Sequence, residues 1–396
     1  MPERLIYKSK WVVADPWTVL ENGYVQMVGE NIEAVGTGKP QDPGQVHDLG
    51  PGALVAPMVN AHTHLELSAL KGAVALDVGF QKWVSELLRI RNSLTEIELL
   101  SGAADGVLEL DRAGCRIVAE VSTLGITRQL FRSSPLSGIF FHEHLGSGNP
   151  EISEVHPSSS FRSSLAAHAP HTTSPELLRS IKTMTLSRNL PMSVHLAESE
   201  DEWRFITAVR GAWADFLTER NIDFSNWPLP AKSPVDYLDT LGVLDSKTLA
   251  VHLIHCSSED LELLRSSDTK VCFCPRSNFL LHQKLPDIPR FLASGFKPCL
   301  GTDSLASTPS LSILDEMTFI ASKYDSISPV EILAMGTLYG AAAINMDKKC
   351  GRLAPDFKGV PHFVPIQAGK SSDVLPAIVS SGNAEINQAQ RGATGT

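Results

Sequence analysis

An α/β fold is predicted: a (β/α)8 TIM barrel with a small β-sandwich domain formed from the N- and C-terminal segments. Three observations carry this. Eight short apolar runs alternate with helical stretches across about 290 residues, the span of such a barrel with insertions. The first 55 residues have a different texture, short β-rich runs broken by turns. No GxGxxG or GxxxxGK(S/T) segment supports the nucleotide-phosphate site of a doubly wound open sheet, the competing topology. The expected boundaries are residues 1–55 plus 346–396 for the small domain and 56–345 for the barrel.

In chain order, the N-terminal strands are expected at 7–13, 18–20, 24–28 and 32–35, with turn signals at Glu21-Asn22-Gly23 and Gly29-Glu30-Asn31. The barrel strands are expected at 54–60, 116–121, 137–141, 164–167, 192–194, 248–251, 270–273 and 296–300. Ser174-Pro175-Glu176 places an N-cap and an N1 proline before the helical stripe Leu177, Leu178, Ile181 and Met184. Ser257 with Asp260 starts a shorter helix, and Ser328-Pro329-Val330-Glu331 reads as a capping box opening a helix to about Asn345. Two connections are long, 67–95 and 199–247, and aromatic-rich: Phe80 and Trp83 in one, Trp203, Trp213, Phe216, Phe224 and Trp227 in the other. Both follow strand C-termini, so they read either as helices packed outside the barrel or as a substrate-covering lid. Residues after Gly369 are rich in Ser, Gly, Ala and Gln and read as a weakly structured tail.

Composition narrows the partners. Apolar residues make up 43% and charged residues 20% of the 396, enough for a large core. The 34 Lys and Arg against 44 Asp and Glu leave a net charge of −10, which repels nucleic-acid backbones and anionic membranes. No apolar run approaches the 18 or so residues of a spanning helix, and Met1-Pro2-Glu3-Arg4 is no signal-peptide start. Six cysteines without a CxxC pair fit reduced thiols in the cytoplasm. The expected partner is a small-molecule substrate, with no nucleic-acid polymer and no membrane; a second copy in a homodimer is compatible with this.

Thirteen histidines are unevenly spread: nine of them (62, 64, 142, 144, 168, 171, 195, 252 and 255) fall at or just beyond a predicted barrel-strand end. Those ends form the active-site rim of this fold. His62 and His64, spaced i, i+2, project from one strand face. With His195 at the end of strand five and Asp303 at the end of strand eight, they make three imidazoles and a carboxylate. That set suits Zn²⁺, Fe²⁺ or a similar ion with a position open for water; the alternative is buried histidines satisfied by hydrogen bonds and a capping aspartate. Glu198, three residues past His195, can take a proton from an activated water and hand it to a leaving group. His252 ends strand six and can polarise the bond under attack; His255 reads as structural.

Five segments then resemble one family. Val59-Asn60-Ala61-His62-Thr63-His64, His195-Leu196-Ala197-Glu198, His252, Cys274-Pro275-Arg276-Ser277-Asn278 and Leu300-Gly301-Thr302-Asp303-Ser304 look like the amidohydrolase superfamily, in order from about residue 50 to 345. More narrowly they resemble its cytosine-deaminase-like and adenosine-derivative deaminase branch. The resemblance implies one divalent metal ion, Zn first and Fe second, held by His62, His64, His195 and Asp303. The binuclear members place a lysine where this chain has His168-Ala169-Pro170-His171. Catalytic roles are implied for Glu198, His252 and Asp303.

A finer resemblance, His64-Leu65-Glu66 with Gly79-Phe80-Gln81-Lys82-Trp83, is to the aminofutalosine deaminases, which remove the 6-amino group of an adenine on a modified ribose. It implies substrate contacts at Glu66, Trp83, His171, Arg276 and Ser304, with Glu66 on a ribose hydroxyl or purine nitrogen and Arg276 on a carboxylated arm. A rim ion pair is the other reading of Arg276. The implied reaction is attack of an activated hydroxide on the amino-bearing ring carbon with loss of ammonia. Hydrolysis of a C–N amide or C–Cl bond on another heterocycle is the alternative, because the same ligands serve all three. Ala56-Pro57-Met58 and the stretch from Gly351-Arg352-Leu353 to Ile366 depart from the family's usual pattern.

Overall fold

The computed structural model describes residues 3–40, 42–220 and 222–383. Strands β6 (Met58–Thr63), β7 (Cys115–Ser122), β8 (Ser137–His144), β9 (Phe161–Ala167), β10 (Met192–Leu196), β11 (Thr248–His252), β12 (Lys270–Phe273) and β13 (Cys299–Leu300) pair in parallel, each with its successor. They are almost wholly buried, as strands covered on both faces must be, which is why they read as short continuous apolar runs.

Closure of the circle places the first candidate residues. The amides of Thr302 and Asp303 both donate to the His62 carbonyl, at 3.0 and 3.1 Å, and Thr63 bridges to Asp303. The Asn60 side chain ties the same seam, donating to the Thr302 hydroxyl at 2.8 Å and accepting from the Thr302 amide at 3.2 Å. Gly301 makes the approach possible: a Cβ there would stand 2.7 Å from both the His62 Cβ and the His62 carbonyl oxygen.

The small domain is one connected sheet built from both ends of the described chain. Its strands β1 (Arg4–Asp15), β2 (Thr18–Val28), β3 (Asn31–Thr37), β4 (Gln45–Asp48), β5 (Ala53–Val55) and β14 (His362–Val364) run in the order β14-β5-β1-β2-β3, with β4 also on β1. Val12, Val25, Met27, Ile32, Leu54 and Leu353 form its core. Two sequence expectations change here. The expected strand 54–60 is two elements: β5 belongs to the small sheet and β6 to the barrel, because Pro57 has no N–H to continue a ladder. The expected turn at Glu21-Asn22-Gly23 lies inside β2, which absorbs it through Asn22 at φ 51° while Glu21 and Gly23 keep their register with Trp11 and Ser9.

Helices fill the spaces between strands: α1 (Phe80–Arg91), α2 (Glu96–Arg112), α3 (Pro175–Ser187), α4 (Glu200–Ala208), α5 (Ala212–Glu219), α6 (Pro234–Thr240), α7 (Ser258–Ser266), α8 (Pro275–His282), α9 (Ile288–Ala293), α10 (Ile313–Lys323), α11 (Pro329–Met335), α12 (Leu338–Ala343) and α13 (Val374–Val379). Ser174 caps α3 by accepting the Leu177 amide, and Ser257 with Asp260 forms a reciprocal capping box on α7. Ser328 caps α11 through the Glu331 amide, but the Glu331 carboxylate is taken by the Tyr339 hydroxyl. The helix expected to reach Asn345 is split at Gly336-Thr337, where a Cβ on residue 336 would stand 2.9 Å from both Ile313 and Met317.

The expected weak tail is ordered to residue 383. Val374, Leu375, Ile378 and Val379 form the buried face of α13, which packs on α10 and α11, so this segment covers the barrel rather than the small sheet. The rest of that tail, 384–396, lies outside the described residues. No helix among the described residues is long and apolar enough to cross a membrane.

Candidate active site

The C-terminal ends of β6, β10, β11 and β13 meet at the floor of a cavity of about 290 Å³. The Nε2 atoms of His62 and His64 stand 3.1 Å apart, and those of His64 and His195 3.3 Å. Asp303 Oδ1 lies 3.8 Å from His64 Nε2. The outer atoms are occupied in a way that aims the inner ones: His195 Nδ1 donates to the His168 carbonyl at 2.7 Å, and Asp303 Oδ2 accepts from the Ser277 and Ser307 hydroxyls at 2.6 and 2.9 Å. Burial and the neighbouring imidazoles push the pKa of His62 well below its ordinary value, so its ring is neutral. Neutral imidazole nitrogens this close repel unless a cation or a shared proton lies among them. A tetrahedral zinc shell with bonds of about 2.0–2.1 Å separates its nitrogen donors by about 3.3 Å. The donor set therefore fits a metal ion.

Beside this cluster stand Glu198 and His252. His252 Nδ1 donates to Asn278 Oδ1 at 2.7 Å, which leaves Nε2 facing Glu198 Oε1 at 3.8 Å. Burial works against ionisation of Glu198, but His252 and His282 override it and hold the carboxyl well below the usual carboxylate range. The backbone here is unusual: Ala197, His252, Leu253 and Asp303 take φ of 52°, 79°, 49° and 61°, left-handed values in non-glycine residues. Strain of this kind, about 1–3 kcal/mol per residue, persists only where the surroundings hold it. Glu202 does so at Ala197, its carboxylate accepting the amides of Ala197 and Glu198 at 3.0 and 2.8 Å.

The walls of the cavity come from the two long connections. Phe80, Trp83, Val84, Leu87 and Leu88 of α1 face Trp213, Phe216 and Leu217 of α5, with Ile222 beyond. Both connections thus carry helices, and both line the site. Arg91 and Arg220 are the cations that line it.

A model of the amidohydrolase family matches residues 53–360. The chain belongs to the amidohydrolase family. It is similar to the aminodeoxyfutalosine deaminase of Deinococcus radiodurans, 28% identical over 330 residues, covering 78% of this chain and 78% of that protein. Among solved structures it resembles the Helicobacter pylori aminofutalosine deaminase in complex with methylthio-coformycin, with a TM-score of 0.83, 22% identity and coverage of 95% and 96% of the two chains. It also resembles an adenosine deaminase from Xanthomonas campestris with bound zinc, with a TM-score of 0.77, 19% identity and coverage of 96% and 90%. At these identities the two structures bear on the fold, which is the TIM barrel plus small domain of this family. Amidohydrolases are metal-dependent, and His62, His64 and Asp303 offer ligand atoms within 4.8 Å of one another, as do His62, His195 and His252.

Measured against this amidohydrolase framework, the other candidates separate. Glu66, Trp83, His171 and Ser304 all line the cavity. Both ring nitrogens of His171 are buried without a partner, and the ring packs on Trp213 at 4.3 Å. The Glu66 carboxylate accepts from the Ser122 hydroxyl and the amides of Thr123 and Leu124 at 2.5, 3.0 and 3.1 Å.

Arg276, expected at the substrate, does not line the cavity. It is buried behind the barrel wall, its Nε on Glu316 Oε1 at 2.8 Å and its Nη atoms on Asp315, Ser310 and Ser312, away from the cavity. His142, His144 and His255 stand at or just beyond strand ends, as expected, but do not line the cavity. His142 and His144 both bond the Glu151 carbonyl on the outer face of β8, and His255 pairs with Lys284. On a strand of period two, it is Glu143, between His142 and His144, that faces inward.

Glu143 and His282 escaped the sequence reading. Glu143 lines the cavity with Oε1 unpartnered, 3.6 Å from His195 Nδ1. Burial would raise its pKa, but His168, His195 and His64 outweigh that and hold it at about 2. The alternation His142-Glu143-His144 was the available signal. His282 donates to Glu198 from the far end of α8, and no spacing rule announces it.

Proposed function

We propose that this amidohydrolase is a hydrolytic deaminase of adenosine derivatives, with one divalent metal, zinc the first choice, held by His62, His64, His195 and Asp303. The observation that carries the reading is the convergence of these donors beside Glu198 and His252 at the floor of one cavity. When bound, the metal supplies a Lewis acid that brings the ionisation of water toward neutral pH.

The remaining work falls to side chains. Glu198, ionised at neutral pH, accepts one proton from the attacking water and passes it to a purine ring nitrogen, then takes the remaining hydroxyl proton of the adduct and gives it to the departing amine. His252, fixed in one tautomer by Asn278, and Asp303, fixed by two serine hydroxyls, orient the attack on the amino-bearing carbon. His171, packed at a tilt on Trp213, offers a buried nitrogen to the purine edge. Glu66 keeps lone pairs for a ribose hydroxyl. The apolar walls suit a bulky 5′ arm, and Arg91 and Arg220 take the place of Arg276 as the cations near the end of such an arm. This supports a substrate like aminodeoxyfutalosine over a bare nucleobase. The six free thiols go with a cytoplasmic location.

The test is an ammonia-release screen over adenine, adenosine, 5′-thio-nucleosides, aminodeoxyfutalosine, guanine and cytosine, run beside cyclic amides and a chlorotriazine. Ammonia from a 5′-substituted adenosine is expected. Turnover confined to an amide or a chloride would overturn the deaminase reading in favour of the other hydrolyses this site can support.

A further inference from the structure

We propose that His282 is a positioning residue for the proton carrier, held against Phe80 and donating its Nε2–H to Glu198 Oε1. The inference rests on the deaminase reading of Glu198 and goes beyond it by naming what keeps that carboxylate in place. A glutamate that must meet a water proton, a ring nitrogen and a leaving amine in turn has to stay within a narrow arc, yet its side chain has three rotatable bonds. Its backbone is fixed by Glu202. Its carboxylate is fixed by His282, at 3.1 Å, whereas His252 Nε2 at 3.8 Å is beyond hydrogen-bond reach. A carboxylate only accepts, so this contact sets His282 as the Nε2–H donor and leaves Glu198 Oε2 free to carry the proton.

The placement of His282 has two sources. It ends α8, the helix whose Ser277 holds Asp303 and whose Asn278, one turn earlier on the same face, holds His252. Its ring packs on Phe80 at 4.6 Å, and Phe80 opens α1, one wall of the cavity. His282 therefore joins the proton carrier to the wall against which the substrate arm lies.

Two variants test this on the metal-loaded enzyme. His282→Phe keeps an aromatic ring against Phe80 and removes the donor; His282→Gln keeps a donor. For the Phe variant we expect kcat to fall about 10–100-fold, the usual cost of losing an orienting partner, with KM and melting temperature near wild type. The Gln variant should recover most of kcat. Crystal structures of both should show the Glu198 carboxylate displaced from beside His252 in the Phe variant and retained in the Gln variant. An unmoved Glu198 in the Phe variant, or a kcat equal to wild type, would overturn the proposal. If the wild type releases no ammonia from any nucleoside, the deaminase reading fails, and the position of Glu198 in the two crystal structures still decides the role of His282.

Discussion

Glu198 is held at its amide by Glu202 and at its carboxylate by His282, and it belongs to none of the metal-donor groups found among the described residues. Glu198→Gln should therefore leave metal content near wild type while turnover falls by about 10²–10⁴, as read by metal analysis and ammonia release on the same sample. Surviving activity would remove Glu198 from the mechanism. His62→Ala should behave in the opposite way, losing the metal itself; unchanged metal content would take His62 off the ligand set.

Glu202 adds a pH signature. Burial raises its pKa from 4.5 to about 8 against the backbone amides it accepts. Between those values the folded protein keeps a proton that the unfolded chain has released. The stability contribution is thus fully present on the acid side and is lost as pH rises through the folded pKa. Buried histidines with lowered pKa values act in the other direction, so the comparison must be with Glu202→Gln, which cannot ionise. Its melting temperature should fall less than that of wild type from about pH 6.5 to about pH 9. Parallel curves would contradict the assignment.

At the scale of elements, α8 organises the site. Ser277, Asn278 and His282 reach Asp303, His252 and Glu198 in turn, and Arg276 locks the helix down through Glu316, which is fully buried. Arg276→Ala leaves that carboxylate without its partner and should destabilise the fold by about 3–5 kcal/mol, measured by denaturant unfolding. A variant of full stability but weakened substrate binding would restore the substrate contact expected from sequence. Gly301→Ala tests the barrel seam. The added Cβ must displace His62 or β13, so metal content and melting temperature should drop together.

Elements were legible where local chemistry acts alone and obscure where packing decides. The α3 and α7 caps and the barrel strands from β7 to β12 follow from capping residues and apolar runs. The split of 54–60 turns on Pro57 choosing between two sheets, and the break at Gly336 on contact with Ile313 and Met317. α13 is ordered by partners some sixty residues earlier in the chain. In the site, His62, His64, His195, His252 and Asp303 are legible because each stands within three residues of a barrel-strand end. Arg276 was misplaced because its motif marks a helix start and says nothing of which side of the helix meets the barrel.

Over the whole molecule, two long connections give the barrel mouth a cavity with apolar walls and basic residues, on a chain whose net charge is −10. Such a cavity suits a single nucleoside with an extended arm. The proposed chemistry replaces an amino group on a purine held there with oxygen from water. Its most direct test is turnover of a 5′-substituted adenosine by the metal-loaded enzyme in oxygen-18 water, with ammonia and product quantified together. One ammonia per product and one labelled oxygen at the former amino carbon are predicted. An intact amino group, or label appearing only where an amide or a chloride has been cleaved from another heterocycle, would contradict it.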